Sequence, residues 1–189
     1  MTKGTTSRTA EEIAVTMDSM GASFGVSCGN NTTLTSASCL QPDLQAALEI
    51  ISDIVLNPVL PPDAMERERD AQVAAIQEQA EDPLSVAFKQ LRPSLFGPKG
   101  YGLSGLGTED SLASLTREDL AVHHQKYFTT ANSVISIFGY IDPDACLKLV
   151  ESLFSKMPRG QRMEISAQEC PEPCSHALHL DKQQAVLTV

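Results

Sequence analysis

Two stretches of the chain hold residues that could bind a metal or move a proton. In MERERDAQVAAIQEQAEDP, residues 65 to 83, Glu66, Glu68, Asp70, Glu78 and Glu81 lie on a segment with helical spacing. Carboxylates on a helix can ligate a divalent cation or serve as a general base. Toward its middle, where one more acid would extend that face, the chain has Ala74 and Ala75. Alternating acids and bases such as Glu66-Arg67-Glu68-Arg69 are more often a solvated face with weak ion pairs.

The second stretch, CPEPCSHALH, puts Cys170, Cys174, His176 and His179 within ten residues. Thiolates and imidazoles bind zinc, so a structural metal site is one option. Its spacing, C-x3-C-x-H-x2-H, lacks the longer loop that lets two ligand pairs converge tetrahedrally. His179, alternating with Leu178 and Leu180, is more simply a strand residue. His123 and His124 are adjacent on a helical segment, point about 100° apart and form no i, i+4 ligand pair. YGLSGLGTED lacks the Gly-Lys-Ser/Thr ending of a phosphate-binding loop.

The elements that position these residues follow from periodicity and punctuation. Thr9, with Glu12 three residues on, predicts a helix start, and Ile13, Met17 and Met20 form its apolar face before Gly21. Residues 22–40 predict a hairpin around Gly29-Asn30-Asn31. Three helices follow: one starting at Pro42 and ending at Asn57-Pro58, one capped by Asp63, and one separated from it by Asp82-Pro83. Glycine-rich residues 97–115 predict a long surface loop, and Thr116 opens another helix. ANSVISIFGYI, residues 131–141, is the clearest strand, with a helix after Asp142, an irregular connection over 158–175 and a last β-like pair over 177–189. This order predicts an α+β fold, with an antiparallel sheet covered by helices mainly on one face.

Composition narrows the function classes. A formal charge of −10 and few clustered cations argue against nucleic-acid binding. No apolar run approaches the roughly 18 residues of a membrane span. Five cysteines, with Cys28, Cys39 and Cys146 in apolar or β-like stretches, predict buried thiols rather than a disulfide framework. They fit a soluble protein of the bacterial cytoplasm and do not exclude the periplasm.

Lys3-Gly4-Thr5, Met20-Gly21-Ala22, Glu66-Arg67-Glu68-Arg69, Asp82-Pro83, Phe96-Gly97 with Tyr101-Gly102 and Leu106-Gly107-Thr108, Leu115-Thr116 and a strand closing on Gly139 occur in an order that resembles the M16 zinc peptidases. That family includes pitrilysin, insulin-degrading enzyme and the mitochondrial processing peptidase subunits. The resemblance implies one M16-like domain over residues 1–189, lacking its first strands and a following half. It also implies zinc chemistry on an H-x-x-E-H helix, with the glutamate as general base. No H-x-x-E-H occurs in this chain. The family's third ligand lies seven residues beyond the acid matched by Glu68, which is Ala75 here, and Glu78 would serve only in a slipped register.

The resemblance therefore implies a catalytically inactive domain that binds no cofactor itself, the zinc belonging to an active M16 domain or subunit as partner. The two would enclose an unfolded peptide substrate. An active zinc endopeptidase and a non-proteolytic assembly subunit are the rival readings. An open sheet edge would also allow a homodimer.

Overall fold

The computed structural model describes residues 1–164, 171–183 and 185–187, and its first helix begins where the sequence predicts. Thr9 Oγ1 accepts from the Glu12 N–H at 3.1 Å, and the Glu12 carboxylate accepts from the Thr9 N–H at 2.7 Å. This reciprocal cap satisfies two amides that the helix cannot. The helix, α1 (Ala10–Ser19), buries Ile13 and Met17 one turn apart.

A hairpin follows, β1 (Ser23–Cys28) against β2 (Thr33–Ser38), antiparallel with Ser23 opposite Ser38 and Cys28 opposite Thr33. The next helix, α2 (Leu44–Leu56), starts after a 3-10 turn, Gln41–Asp43, two residues later than Pro42 suggests. Its Ile50 and Ile54 meet Ile13 and Met17, and Phe24 of the hairpin packs against that cluster. Fully burying such a side chain stabilises by roughly 1.5–3 kcal/mol. Of the two strands only Phe24 and Thr35 are even half-buried, so the helices touch the hairpin chiefly through Phe24, and the fold is α+β.

The remaining helices are α3 (Pro62–Glu81), α4 (Pro83–Phe96), α5 (Glu109–Ser114), α6 (Arg117–Tyr127) and α7 (Pro143–Phe154). Helix α3 starts one residue before Asp63, which lies inside the first turn instead of capping it. There the carboxylate still favours the positive end of the helix dipole. Asp82, Thr116 and Asp142 do cap α4, α6 and α7.

The chain forms two compact units. One comprises Met1–Met65 and Thr116–Glu164; the other comprises Glu66–Leu115 and the described residues after 164.

Several expectations are corrected. Residues 133–138 form no ladder, and Thr130–Asn132 is a 3-10 turn. A strand needs a neighbour to pair its N–H and C=O groups, and none of the described residues supplies one. Val134, Phe138 and Tyr140 are accordingly 90%, 93% and 95% exposed. Residues 177–183 and 185–187 likewise form no strand. The predicted loop over 97–115 contains α5, started by a reciprocal Thr108–Ser111 cap. Of the thiols, Cys146 is buried, Cys39 half-buried and Cys28 exposed.

Residues 158–163 lie along 129–132. The Thr130 N–H donates to the Pro158 carbonyl at 2.9 Å, the Ala131 N–H to Arg159 at 3.0 Å, and the Met163 N–H to Asn132 Oδ1 at 2.8 Å. Gly160 sits in this crossing at φ 61°, and a Cβ there would overlap the buried Thr129 side chain.

Candidate functional site

Helix α3 runs unbroken from Pro62 to Glu81. The seven residues from Glu68 to Ala75 therefore make two turns, about 10.5 Å along one face. Ala75 is half-buried there, with only a methyl group to offer, while Glu68 and Glu78 are exposed. Glu78, three positions beyond Ala75, lies about 60° round the helix from it and about 4.5 Å further along the axis. Glu68 and Glu78 are separated by about 15 Å of helix rise, too far to share an ion whose carboxylate ligands lie about 2.0–2.2 Å away. Position 75 supplies no ligand atom, and Glu68 and Glu78 do not share one ion.

Another set of α3 side chains supports neighbouring backbone. Arg69 pairs with Glu66 at 3.2 Å and donates to the Leu115 carbonyl at 2.7 Å. Gln72 donates to the Leu106 carbonyl at 2.8 Å. Part of the Glu/Arg alternation thus holds the glycine-rich segment in place. The sequence signal for it is only the helical spacing of Arg69 and Gln72.

Of the second candidate set, Cys170 lies outside the described residues. Cys174 Sγ and His176 Nε2 are 3.4 Å apart on an exposed segment, and His179 is exposed. Among the described residues no group of three or more His, Cys, Asp or Glu side chains is gathered for a metal.

His123 and His124 have separate roles. The His123 ring lies 4.5 Å from Tyr127, and that of His124 stacks on Phe128 at 4.5 Å. His124 Nε2 is 2.8 Å from the Val55 carbonyl in the last turn of α2. Burial holds the His124 pKa below its ordinary value, outweighing the carbonyl's opposite pull. Seven residues earlier on α6, Arg117 donates from Nε to the Leu60 carbonyl and from Nη2 to that of Val59, both at 2.9 Å. Leu60 is left-handed at φ 51°, which costs a residue with a Cβ roughly 1–2 kcal/mol.

Sequence analysis missed the strongest polar centre, Asp53. Its Oδ2 accepts from Thr5 Oγ1 and Ser7 Oγ, each at 2.6 Å, and from Arg8 Nη1 at 2.7 Å; Oδ1 accepts from Asn57 Nδ2 at 3.0 Å. Burial pushes the carboxyl up, but hydrogen bonds from Ser7, Thr5, Asn57 and Arg8 overcome it and hold the pKa at about 2. An open hollow beside it is lined by Arg8, Asn57, Ser152, Ser155 and Lys156. The network anchors residues 5–8 to α2. It offers no unpaired nucleophile.

Residues 1–109 match the family described as Insulinase (Peptidase family M16), and residues 114–189 match the Peptidase M16 inactive domain. The chain belongs to peptidase family M16. It is 30% identical over 161 residues to an uncharacterized zinc protease of Mycobacterium leprae, covering 85% of this chain and 36% of that protein. With an uncharacterized zinc protease of Rickettsia felis it shares 28% over 160 residues, 85% of this chain and 39% of the relative. The mitochondrial-processing peptidase subunit beta of Lentinula edodes is 31% identical over 156 residues, 82% of this chain and 34% of the subunit.

A solved structure of a peptidase M16 inactive domain from Pseudomonas fluorescens shares the fold with TM-score 0.82 at 22% identity, over 90% of this chain and 42% of that one. A protease from Helicobacter pylori gives TM-score 0.79 at 17% identity, also over 90% and 42%. The chain spans about two-fifths of the length of these relatives. Zinc belongs to the family, as the relatives' names record. No described helix is long and apolar enough to cross a membrane.

Proposed function

We propose that this chain is a catalytically inactive M16 domain that pairs with an active zinc endopeptidase domain and helps enclose a peptide substrate. The supporting observation is Ala75: on an unbroken helix, at the place the family resemblance gives to a ligand, there is no electron-pair donor. The domain then contributes shape and charge while the partner holds the zinc and the general base. A net charge of −10 favours basic peptides.

The test dialyses the chain against zinc, measures bound metal by mass spectrometry, and follows a labelled unfolded peptide by fluorescence anisotropy and by cleavage. The expected result is peptide binding without stoichiometric zinc or hydrolysis. Stoichiometric zinc that disappears in Glu78→Gln would overturn it in favour of a second reading, part of an active zinc endopeptidase. The match of residues 1–109 to the insulinase family and the zinc-protease names of the relatives favour that alternative.

We infer also that copies can pair through an exposed sheet edge, since the described sheet has only two strands. A strictly monomeric species at all concentrations in light scattering would count against this.

A further inference from the structure

The connection between α2 and α3 is nearly immobilised on both sides of one residue. Upstream, the Asn57 carbonyl accepts from the Thr6 N–H at 3.1 Å, and the Val59 N–H donates to the Gly4 carbonyl at 3.2 Å. Downstream, Pro61 and Pro62 have φ fixed by their rings, and the Pro61 carbonyl accepts the first helical bond, from the Met65 N–H at 3.0 Å. Leu60 is thus the adjustable joint before α3, and it adopts the left-handed φ of 51° that residues with a Cβ avoid.

Strain of this kind persists only where surrounding contacts over-determine it. Here the restraint is Arg117, whose rigid planar fork contacts two consecutive carbonyls, Nε to Leu60 and Nη2 to Val59. Fixing those two oxygens relative to each other fixes the torsions of Leu60. We propose that Arg117 is a positioning residue, a latch that holds Leu60 left-handed and so aims the first turn of α3. Its role does not depend on whether position 75 or Glu78 ever meets a metal. With the latch released, Leu60 relaxes and the first turn of α3, up to Met65, loses the restraint on its start.

Amide hydrogen exchange on the full chain tests this. Arg117→Ala should raise exchange at Met65 and Glu66 about tenfold, as expected for losing charge-assisted hydrogen bonds, with Ile13, Met17, Ile50 and Ile54 unchanged. Arg117→Lys, which keeps the charge but not the fork, should retain most of that increase. Adding Leu60→Asn to Arg117→Ala should restore protection, because asparagine tolerates the left-handed region. Exchange that rises uniformly, stays unchanged in Arg117→Ala, or is not rescued by Leu60→Asn would overturn the latch. None of these measurements involves zinc or peptide, so the inference can fail independently of the function proposed above.

Discussion

The unit built on α1, α2 and the hairpin closes Ile13, Met17, Ile50 and Ile54 into a core, with Asp53 and its four donors beside it. In the unit containing α4 and α5, Leu112 is buried, but Leu84, Phe88, Leu95 and Phe96 remain between 44% and 50% exposed. Its order depends more on polar ties, such as Arg69 to the Leu115 carbonyl and Gln72 to that of Leu106. Such bonds typically contribute about 0.5–1.5 kcal/mol each, somewhat more when charged. Both units leave apolar side chains in water, Val134, Phe138 and Tyr140 in the first among them; the difference is that the first also closes a buried apolar cluster, whereas among the described residues of the second only Leu112 is a buried apolar side chain.

Removing the core from the first unit should have the largest effect. Ile54→Ala, at a fully buried position, should cost about 2–5 kcal/mol, measured as a lower urea midpoint with the slope unchanged. The same loss from Phe88→Ala would erase the distinction between the units.

Asp53→Asn should rank next, at about 2 kcal/mol near neutral pH. Its folded pKa of about 2 lies below the ordinary 3.8, so the stabilisation is complete above 3.8 and disappears as pH falls through about 2. Acid titration of stability should show that step in the parent chain and lack it in Asp53→Asn. An identical acid profile would mean that the network contributes nothing.

Phe88→Ala should cost less, about 1 kcal/mol, because half of the ring is already in water. Addition of a bound peptide or partner domain should enlarge that cost if it covers the helix face, which a paired thermal melt would reveal.

The smallest effect belongs to His124. Its folded pKa is depressed, so the unfolded chain binds the proton more readily and stability falls as pH drops below 6.5. His124→Gln should flatten that slope in denaturation between pH 7 and pH 5. A slope unaffected by the substitution would remove His124 from the first unit's acid response.

What could be read beforehand was local. The Thr9–Glu12 cap, the break at Asp82-Pro83, the helix start at Thr116 and the turn at Gly29-Asn30-Asn31 have all their partners within a few residues. The Thr108–Ser111 cap escaped notice because serine replaces the usual Glu or Gln at its third position. Asp53 lies between Ile50 and Ile54 on an apolar helix, and its donors Thr5, Ser7 and Arg8 are more than forty residues away in sequence. Arg117 and Leu60 are separated by 57 positions, and a left-handed leucine has no compositional sign. The strand expected at 131–141 shows the same limit: its alternation is local, but a ladder needs a distant neighbour. At the candidate site, the spacing from Glu68 to Ala75 was legible because a helix turns at a fixed rate. The role of Arg69 on the Leu115 carbonyl was not.

The crossing at Gly160 constrains how this sequence can diverge. Any side chain there must both accept a left-handed backbone and displace Thr129, so no single substitution is neutral. A side chain at that point would need a compensating change at Thr129, on a segment remote in sequence, so the two positions are coupled through space and not through their neighbours in the chain.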